Sequence, residues 1–429
     1  MEIKKGGVVS KLLEDVPVPK MFRVRQNFPR PIIQPGDIPE IVKRELSQEK
    51  FSNQIKPGMA IAITAGSRGV ANVAIITKAI VDFVASKGAN PFVVPAMGSH
   101  GGATAEGQLE VLESYGITEE YLGFPIKSSM EVKMIGLTED GREVVLDKNA
   151  AEADGIIISC RIKPHNAFRG EYESGIMKMM AVGLGKQVGA ERVHEQGMHN
   201  IAKNIPLMGN VIIQNAPILF AVPCIENAFD ETCKIVGVNR DEIAKEEPKL
   251  LKDAFTNMPK IIVEECDVLI VDEIGKKYSG TGVDPNITGT FSTKNVSGGV
   301  KVQRTAMLDL SDSSNGNGLG TGLASTITKR LFDKLDTEKM YPNCITSTVL
   351  ESARIPCVVV SDKEAIQLCI RTCVDIDKEK IRIVRIPNSL HLEHIMLSEA
   401  YYDEMKNYPN LEIESGPEYL EFNEEGNLW

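Results

Sequence analysis

The sequence predicts an α/β protein of two domains, a larger N-terminal one with a mostly parallel sheet and a smaller C-terminal α/β one, with the site in the interdomain cleft. Three observations carry this. From residue 58 onward, short apolar runs alternate with stretches of helical periodicity. The first such run forms a strand–helix–strand unit, which implies parallel strands and a right-handed crossover. A polar segment at 275–299, rich in Gly, Ser, Thr and Asn, then interrupts the alternation.

The elements follow in order. Residues 59–64 (MAIAIT) read as a buried strand. In 70–87, Val70, Val73, Ile76, Ile80 and Val84 recur at helical spacing, and Gly88 is a natural stop. Residues 91–95 are the next strand, followed by strands at 155–160, 211–214, 218–222 and 267–271, with a helix at 246–257. Beyond the polar segment come a helix near 323–335, a strand at 356–360, a helix at 363–372, a strand at 380–385 and a last helix near 391–406. The domains are expected at 1–275 and 300–429, with 275–300 as the linking segment.

Composition narrows the function classes. The chain has 429 residues, 42% hydrophobic and 25% charged, the balance of a globular protein with an ample core. Its formal net charge of -11 argues against nucleic acid, which needs clustered Lys and Arg. No run approaches the roughly 18 apolar residues of a membrane span. Met1 to Lys5 lead into no apolar stretch, so a cytoplasmic location is expected. The eight cysteines read as free thiols, including Cys369 and Cys373 at CxxxC spacing on a helix.

Histidine is scarce, six in all, and His100, His165, His194 and His199 fall in one third of the chain. His100 stands in Met97-Gly98-Ser99-His100-Gly101-Gly102 and His165 in Lys163-Pro164-His165-Asn166, each just past a predicted strand. Ligands of open α/β sheets bind beyond the carboxyl ends of the strands, and two imidazoles there suit two-sided proton transfer. The loop Thr64-Ala65-Gly66-Ser67-Arg68-Gly69 lies at the same edge. Its glycines turn tightly, the following helix offers N–H groups to an anion, and Arg68 can grip a carboxylate or phosphate. Lys178, among apolar residues, reads either as a snorkelling surface lysine or as a desolvated amine available for covalent chemistry. The run Gly318-Leu319-Gly320-Thr321-Gly322 reads as a tight loop-to-helix turn. His391 and His394 read as one face of the last helix.

Taken in order, these pieces resemble the nickel-dependent lactate racemase family. They are Ser67-Arg68, Gly98-Ser99-His100, Pro164-His165, Lys178 with Gly183 five residues on, and then His194. The resemblance runs from about 58 to 200. It implies a nickel-pincer nucleotide (nickel pyridinium-3,5-bisthiocarboxylic acid mononucleotide) attached covalently to Lys178. His194 would be the nickel ligand, with His199 its rival, and Ser67, Arg68 and Gly183 would lie on the cofactor. His100 and His165 would be the acid/base pair, and Arg68 would orient a substrate carboxylate or a cofactor phosphate.

The implied activity is a racemase or epimerase of a small 2-hydroxy acid, served by cofactor-maturation proteins, with homo-oligomerisation left open. The segment from Gly275 to Asn286 is distinctive, and Lys276 or Lys277 is a candidate cation for the substrate. Between His165 and Lys178 the chain is longer than in the lactate enzyme and carries Arg169, Glu171 and Glu173. The alternatives are a hydrolase or lyase using a plain divalent ion, and a non-catalytic cofactor carrier.

Overall fold

The apolar runs become two parallel-rich sheets in a computed structural model that describes residues 3–67, 69–294 and 296–429. The chain divides into two compact units, one made of residues 29–258 and the other of 1–28 with 259–429.

In the 29–258 unit the strands run in the order Asn90–Pro95, Ala60–Ala65, Gly155–Arg161, Ile218–Glu226 and Thr232–Ile235. The first four are mutually parallel, and the last closes an antiparallel hairpin. Side chains alternate between two cores. Ala62, Val94, Ile156 and Ile158 pack on one face, while Ile61, Ile63, Val93 and Ile157 pack on the other. That double burial is why these strands read as continuous apolar runs rather than as alternation. The helix Val73–Ser86 buries Ile76, Ile80 and Val84 against the second face. The helix Ile201–Asn215 buries Ile201, Ile205, Met208 and Ile212 against the first.

The other unit holds an eight-stranded sheet in the order Cys357–Val359, Thr326–Thr328, Lys301–Leu310, Glu265–Ile274, Ile383–Ile386, His394–Ser398, Met21–Gln26, Leu411–Ile413. Its first five strands are parallel and its last three join antiparallel. The strand Met21–Gln26 thus lies inside a sheet built otherwise from residues 265–413.

Four expectations are corrected. Residues 211–214 continue the helix Ile201–Asn215, because Val211 and Ile212 extend its 3.6-residue stripe. The final helix near 391–406 is instead the strand His394–Ser398 and a short helix Tyr402–Met405, so His391 and His394 share no helix face. The 323–335 stretch is a tight turn, the strand Thr326–Thr328 and the five-residue helix Lys329–Asp333. The boundary read at 275–300 falls after Met258, because Glu265–Ile274 pairs with Lys301–Leu310 across the polar segment and both belong to one sheet. All eight cysteines are free; six are buried, Cys233 is half-buried and Cys357 is exposed. Among the described residues no helix is long and apolar enough to cross a membrane.

Candidate functional site

Three neighbouring parallel strands of the 29–258 unit end at one edge and feed the three loops singled out from the sequence. The strand Ala60–Ala65 leads to Ser67, Asn90–Pro95 leads to His100, and Gly155–Arg161 leads to His165. Ser67 Oγ lies 2.5 Å from His100 Nδ1, and Tyr115 Oη donates to the Ser67 carbonyl at 2.9 Å. Further along the first loop, Ala71 N–H donates to Glu226 Oε1 at 2.7 Å, and Thr232 Oγ1 donates to the Ala71 carbonyl at 3.0 Å. Arg68 lies outside the described residues.

His165 is held from several sides. Its backbone N–H donates to Glu173 Oε2 at 2.6 Å, and Arg169 Nη1 donates to its carbonyl at 2.8 Å. Its ring lies against Phe168 with centroids 4.2 Å apart. Nδ1 accepts the Ala167 N–H at 3.1 Å, so the neutral ring carries its proton on Nε2. The backbones of Lys163 and Ser174 pair, closing the longer stretch before Lys178 into a loop. Glu173 is buried at its centre. Burial pushes its carboxyl up from the usual range; the His165 N–H, Arg169, the Gly170 N–H and Lys178 oppose this.

Lys178 ends the short helix Ile176–Lys178 and opens a wide π-type turn, Met179–Leu184. Such turns recur at functional sites, where they re-aim side chains. Glu247 anchors the start of the helix: its Oε2 accepts the Met177 N–H at 2.9 Å, while burial pushes its carboxyl up to about 7. Gly183 is needed where it stands, since a Cβ there would lie 2.7 Å from the Ala96 carbonyl oxygen and 2.8 Å from Met179 Sδ. Its carbonyl accepts the Gly98 N–H at 3.1 Å, tying the Lys178 turn to the His100 loop.

His194 closes the helix Lys186–His194 and is half-buried. Nδ1 donates to the Ala190 carbonyl at 2.6 Å, which leaves the Nε2 lone pair open. Burial lowers its pKa, the Ala190 carbonyl acts the other way, and the Lys178 ammonium lowers it further. His199 is exposed, and its Nε2 accepts from Asn200 Nδ2 at 3.0 Å.

Within one unit, Ser67 meets His100, the His100 loop meets the Lys178 turn at Gly183, and the Lys178 ammonium acts electrostatically on His194 and on Glu173, which holds the His165 backbone. Lys276 and Lys277 lie in the other, on the loop after Glu265–Ile274. There Lys276 Nζ donates to the Gly280 carbonyl at 2.8 Å, and Lys277 Nζ pairs with Glu273 at 3.1 Å. Sequence reasoning missed Glu247, Gln108 and the fully buried pair Lys186–Asp147. A Lys after Gly185 and a Glu amid Lys and Glu both look like surface residues, and no local signal marks their burial.

The loops of Ser67, His100 and His165 follow the carboxyl ends of neighbouring parallel strands, the edge at which open α/β sheets generally bind ligands. Residues 18–204 match the family model of the lactate racemase N-terminal domain. All the linked site residues fall inside this span, whereas Lys276 and Lys277 do not. Among solved structures, the lactate racemase apoprotein from Thermoanaerobacterium thermosaccharolyticum is similar, with a TM-score of 0.50 at 14% identity over 86% of this chain and 93% of that one. At that identity the likeness is one of fold. A search of curated proteins by sequence finds no match.

Proposed function

We propose that the protein is an isomerase, a racemase or epimerase that inverts the hydroxyl-bearing carbon of a small 2-hydroxy acid with a nickel-pincer nucleotide held on Lys178. What supports this reading is that His100 and His165 stand on loops at one sheet edge, with Lys178 tied to the His100 loop through the Gly183 turn and acting electrostatically on His194. The residues fit such a group. His194 is kept neutral by burial, with Nδ1 committed to the Ala190 carbonyl and Nε2 open, the state in which imidazole ligates a metal. Among the described residues no cluster of three His, Cys, Asp or Glu is set to hold a metal ion. One imidazole therefore suits a metal that brings its own sulfur and carbon donors better than it suits a bare ion.

Lys178 would hold the group, with Ser67, Arg68 and Gly183 beside it and His194 completing the nickel's ligands. When bound, the group supplies a hydride acceptor, which an unactivated C–H bond beside a hydroxyl requires. The protein's own part is to bind the acid, orient it and manage the hydroxyl proton. His165, with Nδ1 engaged by the Ala167 N–H, presents a proton on Nε2. His100 faces Ser67 Oγ, which can donate or accept, so either tautomer of His100 keeps its partner. That suits a residue that is an acid in one direction and a base in the other. Glu173 fixes the His165 backbone and lies near Lys178, coupling the two halves of the site.

The test is intact mass after co-production with cofactor-synthesis proteins, beside Lys178→Ala. The expected result is a mass increase that maps to Lys178 and vanishes in the variant. Single-enantiomer 2-hydroxy acids should then racemise, with His100→Ala and His165→Ala slower by about 10²–10⁴-fold. An unmodified chain from an active maturation system would overturn the reading.

A further inference from the structure

A buried polar network runs beneath the His100 loop. Lys186 follows the wide turn that starts from Lys178, adopts a positive φ of 56° and has no exposed surface. Its ammonium donates to the Pro95 carbonyl at 2.5 Å and to Gln108 Oε1 at 3.1 Å, and pairs as an ion with Asp147 Oδ2 at 3.1 Å. Gln108, equally buried on the helix Ala105–Ser114, donates through Nε2 to the carbonyls of Gly98 at 3.1 Å and His100 at 3.2 Å.

This arrangement is a poor way to gain stability alone. Burial disfavours the charged form of both partners, raising Asp147 and lowering Lys186, and an apolar pair of similar volume would serve the core as well. It does fix geometry. The ammonium can only donate, so Oε1 of Gln108 must face it, and both amide protons then point at the carbonyls that flank Ser99. Those carbonyls set the path of the loop, and the path sets where the His100 ring meets Ser67. We infer that Gln108, oriented by the buried Lys186–Asp147 pair, is a positioning residue that presents the His100 imidazole to the site. The kinetic arm of its test rests on the acid/base reading of His100; the structural arm does not.

The experiment is Gln108→Glu, with Gln108→Met beside it. Glutamate keeps an acceptor for Lys186 but offers the two carbonyls no donor. In the unloaded protein, ¹⁵N spectra of the imidazoles, assigned with His100→Asn, should show His100 Nδ1 leaving its Ser67 contact while His165 and His194 stay unchanged. In the loaded enzyme kcat should fall about 10²-fold with KM nearly constant, as expected for a misplaced catalytic group. Unchanged His100 resonances in a folded variant overturn the inference, even if the enzyme racemises hydroxy acids. Shifted resonances in a protein with no racemase activity leave the inference standing and count against the proposed function. If neither variant folds, hydrogen exchange of the wild-type Gln108 carboxamide decides: slow exchange supports the role, and exchange at the rate of an exposed glutamine refutes it.

Discussion

At the scale of single residues, the two candidate metal ligands separate by what their nitrogens already do. His194 spends Nδ1 on the Ala190 carbonyl and keeps Nε2 open, whereas His199 has Nε2 engaged by Asn200 on an exposed turn. In protein matured with the cofactor, His194→Ala should keep the adduct on Lys178 but lose nickel by elemental analysis, while His199→Ala keeps both. Retention of nickel in the first variant would reverse the assignment. Spacing from Lys178 favoured His194 in the sequence, but hydrogen bonds to backbone carbonyls leave no trace in residue order.

Glu247 offers a second test at this scale. Burial raises its carboxyl to about 7 from an ordinary 4.5. Between those values the folded chain holds a proton that the unfolded chain has released. Its stabilising contribution is therefore complete below about pH 4.5 and is lost as pH rises through 7, on the order of 3 kcal/mol in all. Glu247→Gln should flatten that part of the profile, read as urea midpoints at pH 5 and pH 8. Equal pH slopes in the two proteins would remove Glu247 as the source.

Among the elements, the wide turn Met179–Leu184 carries the most weight, because it follows Lys178 directly and anchors the His100 loop through one backbone hydrogen bond. Gly183→Ala forces a methyl against the Ala96 carbonyl and Met179 Sδ, so overpacking of about 1–3 kcal/mol should appear in equilibrium denaturation. Full stability in that variant would mean the turn relaxes freely. The strands that end at the site were legible because burial on both faces makes them continuous apolar runs. The helix Ile201–Asn215 was partly misread, since its last turn holds Val211, Ile212 and Ile213 in a row, which imitates a buried strand. The strand Met21–Gln26, the edge strand Leu411–Ile413 and the hairpin Val132–Leu137 with Glu143–Asp147 were not read at all. They are short or half-exposed, and their pairing partners are set by tertiary context.

For the whole molecule, one unit is an uninterrupted insertion into the other. Residues 29–258 made alone should fold cooperatively, with native-like circular dichroism and a single melting transition, because both of the unit's cores are complete within that span. Residues 259–429 made without the first 28 should not, because the strand Met21–Gln26 separates and pairs with both His394–Ser398 and Leu411–Ile413. A well-folded 259–429 fragment would show that strand to be dispensable. The loops that follow the three parallel strands could be read from the sequence; this interleaving could not, since it depends on which strand takes a vacant edge after the rest of the sheet exists.

The same interleaving imposes a schedule on biosynthesis. Met21–Gln26 leaves the ribosome long before its partners His394–Ser398 and Leu411–Ile413. At about 5–20 residues per second, the nascent strand waits on the order of tens of seconds with its hydrogen-bonding edges bare. Meanwhile the inserted unit, with Lys178 and its neighbours, can be complete before the chain is released. A nascent-chain holdase that shields this strand would therefore act while it waits, after the inserted unit has formed.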